Sequence, residues 1–124
     1  MLKRILIVDD HAAVRLALTR VIESVNDFEV CGEAENGRVG VERALRLKPD
    51  LIILDLSMPV MDGLQAAREI KEFMPAVPIL MYTSFTSANL PVEALAAGVS
   101  RVVSKPSPPE ALVKDLRMLL KPAA

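Results

Sequence analysis

Short apolar runs alternate along this chain with segments in which apolar residues recur every three or four positions. An unbroken run of branched apolar residues is typical of a strand buried on both faces, and the wider spacing is typical of an amphipathic helix. Five segments are predicted to be strands: 5–8, 28–33, 51–55, 78–82 and 99–103. Five others are predicted to be helices, with approximate bounds 12–25, 36–47, 63–73, 89–97 and 107–120.

Polar residues and a glycine mark several of the predicted helix ends. Asn36, Asp62 and Ser107 each stand just before a helical pattern, where a side-chain oxygen can accept a hydrogen bond from the first turn. Gly98 follows the fourth helix and is predicted as its C-terminal cap, because glycine adopts the left-handed conformation that often ends a helix.

The strict alternation of strands and helices predicts an α/β fold, with a parallel sheet covered by helices on both faces. With right-handed crossovers, a doubly wound sheet of this size is expected to have the strand order 2-1-3-4-5, with a switch point between strands 1 and 3. The sequence shows no linker and no internal repeat, so we expect one domain over residues 1–124.

Composition narrows the possible functions. A net charge of −1 gives no basic footprint for nucleic acid, and an aromatic content of 3% argues against a base-stacking surface. The apolar run 5–8 is too short for a signal peptide, and no segment is long enough to span a bilayer. The single Cys31 cannot form an internal disulfide. We expect a cytoplasmic protein that binds neither nucleic acid nor membrane directly.

The run 51–54 ends on a carboxylate, Asp55, which is costly to place at the end of a buried strand unless its charge is compensated. Asp55 could be a helix cap or turn residue. However, a loop follows it rather than a helix, and Asp62 is the better cap for the helix that begins near Gly63. Because ligands of open parallel sheets bind at the carboxyl ends of the strands, we interpret Asp55 as the centre of a site.

The predicted strand order brings further polar residues to the same edge of the sheet. Strands 1 and 3 become neighbours, so Asp9 and Asp10 meet Asp55, and strands 4 and 5 add Thr83 and Lys105. Clustered carboxylates repel one another, and a hard divalent cation with oxygen ligands, Mg²⁺, resolves that repulsion. A carboxylate nucleophile, a cation, a hydroxyl and an ammonium are what phosphoryl transfer to aspartate requires.

Each of these residues also has an ordinary interpretation when it is taken alone. Asp9 or Asp10 could cap the first helix, Thr83 could be a plain strand-end hydroxyl, and Lys105 could be a solvated surface lysine. His11 is interpreted as a surface residue at a helix start rather than a metal ligand, because the sequence offers no partner histidine or cysteine for it. The prediction of a phosphoryl-transfer site therefore depends on all five residues lying at the carboxyl ends of four neighbouring strands.

Several segments resemble motifs of the response-regulator receiver domains of two-component signalling, over essentially the whole chain. The matching segments are 7–11, 50–63, 82–84, 97–98 and 104–106. The opening Asp-Asp-His and the spacings are most similar to receivers that precede LuxR-type helix-turn-helix output domains. The resemblance implies a flavodoxin-like (βα)5 fold. The strand order 2-1-3-4-5 predicted above is also the order found in receivers, so the prediction of the fold and the resemblance do not support each other independently.

The resemblance also implies a role for each acidic residue of the site. Asp55 matches the phosphoacceptor. Asp10 matches the direct Mg²⁺ ligand of the acidic pair, and Asp9 matches the acid that acts more through water. The third protein ligand is expected to be the backbone carbonyl of Ser57, a role that no side chain specifies.

Other matches concern the phosphoryl group and the partners. Lys105 matches the lysine that pairs first with Asp55 and then with the phosphoryl group, Thr83 matches the switch hydroxyl, and the bond between Lys105 and Pro106 matches one that is cis in the family. The implied donor is a phosphohistidine on a sensor histidine kinase or phosphotransfer protein. The face built by strands 4 and 5 with the last two helices is expected to control an output domain or effector, with transcription as the expected output, and to allow a phosphorylation-dependent homodimer.

The chain departs from the usual receiver pattern at the switch. Receivers usually carry Tyr or Phe three residues before the lysine; here the residue is Val102, preceded by Arg101 where Gly is common. We expect phosphorylation to be transmitted through Thr83 and the loop before the fourth helix. Phe85 and Ser57 border the expected path of a hydrolytic water and provide no strong general base, which predicts slow self-dephosphorylation.

The resemblance implies a phosphorylation switch rather than an enzyme that turns over a substrate. Two other classes of function are alternatives to it. A haloacid-dehalogenase-like phosphatase also uses Asp, Thr, Lys and Mg²⁺. However, it needs a second Asp where this chain has Ser57, and its cap domain does not fit in 124 residues. An interaction module that no longer depends on phosphate remains a second alternative because of Val102. The sequence also leaves open a stand-alone receiver or the regulatory part of a longer regulator.

Overall fold

The apolar runs form the strands of one parallel sheet, in a computed structural model that describes residues 2–85 and 87–121. The strands are β1 (Lys3–Val8), β2 (Phe28–Ala34), β3 (Leu51–Leu54), β4 (Ile79–Thr83) and β5 (Arg101–Ser104). The helices are α1 (Ala12–Glu23), α2 (Gly37–Leu47), α3 (Gly63–Phe73), α4 (Leu90–Ala96) and α5 (Pro109–Leu120). All ten elements were predicted, and their ends lie within two residues of the expected positions.

The sheet has the order β2-β1-β3-β4-β5, which confirms the predicted flavodoxin-like (βα)5 topology. The register pairs Val8 with Leu54 and Thr83 with Ser104, so β1 ends level with β3 and β4 ends level with β5. The Asp55 amide then donates to the Val8 carbonyl at 2.9 Å. The residues that follow β1 and β3 are therefore fixed beside each other by backbone hydrogen bonds.

Alternate side chains of the strands enter two separate cores, one on each face of the sheet. Residues such as Leu6 and Ile52 pack with helices α2, α3 and α4, whereas Ile5 and Ile53 pack with α1 and α5. Strands β1, β3 and β4 carry fully buried side chains on both faces, which explains why their sequences are unbroken apolar runs.

The N-terminal helix caps agree with the sequence except at the last helix. Asn36 accepts a hydrogen bond from the Val39 amide, and Asp62 accepts one from the Gln65 amide, each at 2.9 Å. The prediction that Ser107 caps α5 was wrong, because the helix begins at Pro109 with no side-chain cap.

Proline explains that difference. Pro109 has no N–H to donate to a cap at Ser107, and the Ser107 hydroxyl instead donates to the Pro108 carbonyl at 3.5 Å. The Ser107 amide donates to the Tyr82 hydroxyl at 2.9 Å. The C-terminal cap of α4 is Ala97, and the predicted Gly98 lies one residue further on, in the left-handed conformation with φ of 92°. No helix among residues 2–85 and 87–121 is long and apolar enough to cross a membrane.

Candidate functional site

The carboxyl edge of the sheet brings together the ends of four strands. Asp9 follows β1, Asp55 follows β3, Thr83 ends β4, and Lys105 follows β5. The Lys105 amide donates to the Thr83 carbonyl at 3.0 Å, so the β5 ladder continues to the residue that carries the ammonium. The topology thus places the predicted residues at one edge, as the sequence indicated.

Two of the three carboxylates are almost completely removed from solvent. The side chains of Asp9 and Asp55 are buried, whereas that of Asp10 is 29% exposed. Asp9 Oδ1 accepts from the His11 amide at 2.9 Å, and Asp55 Oδ1 accepts from the Leu56 amide at 2.8 Å. Asp55 therefore makes a local turn contact, but it caps no helix, since Asp62 caps α3.

Lys105 bridges the two buried carboxylates. Its Nζ atom lies 2.7 Å from Asp9 Oδ2 and 3.2 Å from Asp55 Oδ2. The resemblance implied a lysine paired with Asp55; the structure adds Asp9 as its shorter contact. A single ammonium therefore compensates two carboxylates, and the site retains excess negative charge.

The pKa values of Asp55 and Lys105 reflect this shortage of positive charge. Burial raises the pKa of Asp55, and the neighbouring Asp9 charge raises it further, while Lys105 lowers it only in part. Burial lowers the pKa of Lys105, but the hydrogen bond to Asp9 and the charges of Asp55 and Asp9 outweigh that effect, so the net pKa of the ammonium is raised. The lysine is held in its charged form.

The acidic side chains are compact enough to share one cation. Ligand atoms of Asp9, Asp10, His11 and Asp55 all lie within 4.8 Å of one another. The three carboxylates provide the oxygen ligands that Mg²⁺ prefers, so this cluster is compatible with Mg²⁺ binding. His11 was left out of the site by the sequence interpretation, and the structure places its imidazole inside the cluster.

Thr83 is buried at the end of β4, and its hydroxyl oxygen accepts a hydrogen bond from the Phe85 amide at 3.1 Å. Phe85 itself is 48% exposed and lines one wall of a cleft of about 500 Å³ beside Asp10. The cleft is otherwise lined by Leu56, Ser57, Met58, Pro59 and Asp62. The two residues predicted to border the water path, Phe85 and Ser57, thus line one cleft.

The switch position on β5 has no aromatic ring. Val102 is half-buried and packs against the core on the α2–α4 face. Beside it, Arg101 Nε lies 2.9 Å from Asp115 Oδ1 of α5, and Asp115 is largely buried. An ion pair between β5 and α5 therefore lies where receivers usually have a glycine on the strand.

Two further features complete the surroundings of the acids. The Arg15 guanidinium donates to the Asp9 carbonyl at 2.7 Å and to Glu33 at 2.9 Å, which fixes the backbone that carries Asp9. Sequence reasoning missed Arg15, because it stands off the apolar face of α1 like any solvated residue. The bond between Lys105 and Pro106 is cis, as the resemblance implied.

Comparison with known proteins shows which proteins the chain is similar to. The family model described as "Response regulator receiver domain" matches residues 5–117. The chain is 38% identical over 119 residues to the chemotaxis protein CheY of Thermotoga maritima, covering 96% of this chain and 98% of that protein. It is 46% identical over 100 residues to a protein-glutamate methylesterase/protein-glutamine glutaminase of Hahella chejuensis, covering 79% of this chain but only 26% of that protein.

Among solved structures, a two-component response regulator of the LuxR family from Aurantimonas superposes with a TM-score of 0.91 at 32% identity. The superposition covers 97% of this chain and 86% of that one. The similarity thus extends over nearly the whole chain.

Proposed function

Because the chain belongs to the response-regulator receiver family of two-component signalling, we propose that it is a switch controlled by phosphorylation of Asp55. The observation that carries this proposal is the pairing of a buried Asp55 with a single lysine, beside two further carboxylates, at the carboxyl edge of the sheet. We propose that residues 1–124 form one receiver domain. Its place is the cytoplasm, where histidine kinases present their phosphoryl groups.

Mg²⁺ is the cofactor that the donor set favours. Asp10 and Asp55 would hold it directly, with the backbone carbonyl of Ser57 as third protein ligand and Asp9 acting through water. When bound, the ion neutralises negative charge on the acids and on the incoming phosphoryl group. The open cleft beside Asp10 leaves room for that group to approach.

The reaction is one phosphoryl transfer. An Asp55 carboxylate oxygen forms a bond to phosphorus while the bond from phosphorus to the imidazole nitrogen of the donor phosphohistidine breaks, and that nitrogen keeps the electron pair. Lys105 then pairs with the transferred phosphoryl oxygens, and the Thr83 hydroxyl moves to donate to one of them. The donor is a histidine kinase or phosphotransfer protein. The chain turns over no substrate of its own.

The readout passes through the face formed by β4, α4, β5 and α5. When Thr83 moves toward the phosphoryl group, it gives up the hydrogen bond from Phe85, which disturbs the start of the loop before α4. On α4, Val92 and Leu95 expose apolar surface that an output domain, an effector or a second copy can cover. Transcription control is the output that we favour, since a LuxR-family regulator is among the similar structures.

A second function, binding a partner irrespective of phosphate, is favoured by one observation. Val102 has no ring that could swing inward, and Arg101 is already paired with Asp115. In such a module, the affinity of the face for its partner is expected to be the same whether or not Asp55 is phosphorylated. Comparing partner or dimer affinity with and without the phosphoryl group separates the two functions.

The test of the proposed function is the intact mass of the protein after incubation with Mg²⁺ and acetyl phosphate. We expect one acid- and base-labile phosphoryl adduct. Asp55→Asn is expected to prevent it, and Asp27→Asn, which removes a surface carboxylate beside Arg117, is the matched control that keeps it. No adduct on the parent protein, with Mg²⁺ still bound, would reject the switch and leave the phosphate-independent module.

A further inference from the structure

We propose that His11 is an additional ligand of the cation site, and that its imidazole makes the site bind divalent transition-metal ions more tightly than an all-oxygen receiver site does. The inference rests on the proposed function, because it concerns the same cation. It differs from the sequence interpretation, in which His11 was a surface residue with no metal partner. The structure provides partners of another kind, the carboxylates of Asp9 and Asp10.

The distances are those of ligands on one ion. His11 Nδ1 lies 3.1 Å from Asp10 Oδ1 and 3.3 Å from Asp9 Oδ1. Neighbouring ligands of an octahedral ion with bonds of about 2.1 Å are about 3.0 Å apart, and opposite ligands are about 4.2 Å apart. The full set, with Asp55, lies within 4.8 Å. An ion held by Asp10 and Asp55 can therefore reach the imidazole with little movement of the side chains, while Asp9 acts through water.

The start of α1 holds the imidazole in this position. The His11 amide donates to Asp9 Oδ1, so the backbone of His11 is anchored to an acid of the site. The side chain is 66% exposed, which leaves the ring open to an ion arriving from solvent. The competing arrangement is a plain surface contact of the imidazole with Asp10, which contributes little to stability and is easily displaced.

The consequence is selectivity among ions. Mg²⁺ prefers oxygen ligands and keeps much of its water, so an imidazole adds little to its binding. Ions of the first transition series, and Ni²⁺ in particular, bind imidazole nitrogen well. His11 is therefore expected to act on transition-ion affinity and to leave Mg²⁺ affinity nearly unchanged.

The chain has a single histidine, so untagged protein contains one imidazole that can be assigned without ambiguity. The first measurement is pulsed electron paramagnetic resonance of the protein loaded with Mn²⁺, in which a directly bound imidazole nitrogen gives a characteristic coupling. The second is calorimetric titration with Ni²⁺ and with Mg²⁺. Both are made on the parent protein, on His11→Gln and on Asp10→Asn.

We expect the nitrogen coupling in the parent protein and its loss in His11→Gln. The same variant should lose about tenfold in Ni²⁺ affinity and change Mg²⁺ affinity less than about twofold. Asp10→Asn should weaken both ions, which assigns the binding to this site. Absence of the coupling, or equal weakening of Ni²⁺ and Mg²⁺ in His11→Gln, overturns the inference.

The outcome is distinguishable from a failure of the proposed function. If acetyl phosphate and Mg²⁺ phosphorylate Asp55 while the nitrogen coupling is missing, the receiver chemistry stands and the role of His11 fails. If Asp10→Asn leaves both affinities unchanged, the ions bind elsewhere and both proposals lose their cation site.

Discussion

Lys105 lies closer to Asp9 than to Asp55: its Nζ atom is 2.7 Å from Asp9 Oδ2 and 3.2 Å from Asp55 Oδ2. The carboxylate proposed as nucleophile is thus the less compensated of the two. Its pKa is raised by burial and by the Asp9 charge. In the unphosphorylated protein this charge opposes folding, and two predictions test that cost.

The first prediction concerns Asp55→Asn and pH. The folded state holds the Asp55 proton more tightly than the unfolded state, so this group's contribution to stability falls as pH rises through and above its unfolded pKa of about 3.9. We expect Asp55→Asn to be about 1 kcal/mol more stable than the parent protein at neutral pH, and equal to it near pH 3, where Asp55 is protonated in both states. Urea unfolding across that range measures the difference.

Asp27→Asn is the control, since it removes a carboxylate that is 57% exposed and paired with Arg117 at the surface. It should lack the gain at neutral pH. A parent protein that is more stable than Asp55→Asn at pH 7 would show that the ammonium compensates Asp55 fully.

The second prediction is that the effect of Asp55→Asn depends on Asp9. In Asp9→Asn the carboxylate that repels Asp55 is gone and Lys105 is free to pair with Asp55 alone. Neutralising Asp55 should then no longer stabilise the protein and should become destabilising. A double-mutant cycle at pH 7 should give a coupling of about 1 kcal/mol or more, as expected for charges that share one partner. Additive effects would mean that Lys105 does not distribute its charge between the two acids.

The backbone of this site could be predicted from sequence because each strand is a distinct apolar run ending in a polar residue. The unbroken apolar run Leu51–Leu54 predicts a buried strand, and the strand order then predicts which strands lie beside Asp55. The start of α5 was less predictable, since two prolines after Ser107 change which amides exist to be capped.

Side-chain placement within the site could not be obtained in this way. The nearness of Lys105 to Asp9 depends on differences of about half an ångström, which no spacing rule resolves. His11 and Arg15 were missed because a polar residue at a helix start or off its apolar face has the same pattern whether it points to solvent or toward an acid. Only the contacts in the folded chain, of Arg15 with the Asp9 carbonyl and of His11 with the Asp10 carboxylate, decide between these possibilities.

The third prediction concerns the lifetime of the phosphoryl group. Phe85 lines the cleft beside Asp10 and provides no base for a hydrolytic water. Phe85→Glu places a carboxylate there and should shorten the lifetime about tenfold or more, while Phe85→Leu should leave it nearly unchanged. The decay of the phosphorylated mass after removal of acetyl phosphate measures both. Equal lifetimes for Glu and Leu would count against a water path past this position.

The fourth prediction is that Val102→Tyr leaves phosphorylation intact. Val102 packs against the core on the α2–α4 face, and it contributes no atom to the acidic cluster. The yield of Asp55 adduct under fixed acetyl phosphate and Mg²⁺ should match that of the parent protein within about twofold, whatever the tyrosine does to partner binding. Val102→Ala controls for the change in packing. Loss of the adduct in the tyrosine variant alone would show that this position governs the site itself.

The last prediction concerns Val60, in the loop between β3 and α3. Val60 has φ of 71°, in the left-handed region that a β-branched residue rarely adopts, and its side chain is 73% exposed. Such strain costs on the order of 1–3 kcal/mol, and exposure means that little packing offsets it. Val60→Gly should therefore be about 1 kcal/mol more stable in urea unfolding, even after the added freedom of glycine in the unfolded chain. Val60→Ala is the matched control and should gain less, because it keeps Cβ. A glycine variant that is less stable than the parent protein would mean that the valine side chain makes contacts worth more than the strain.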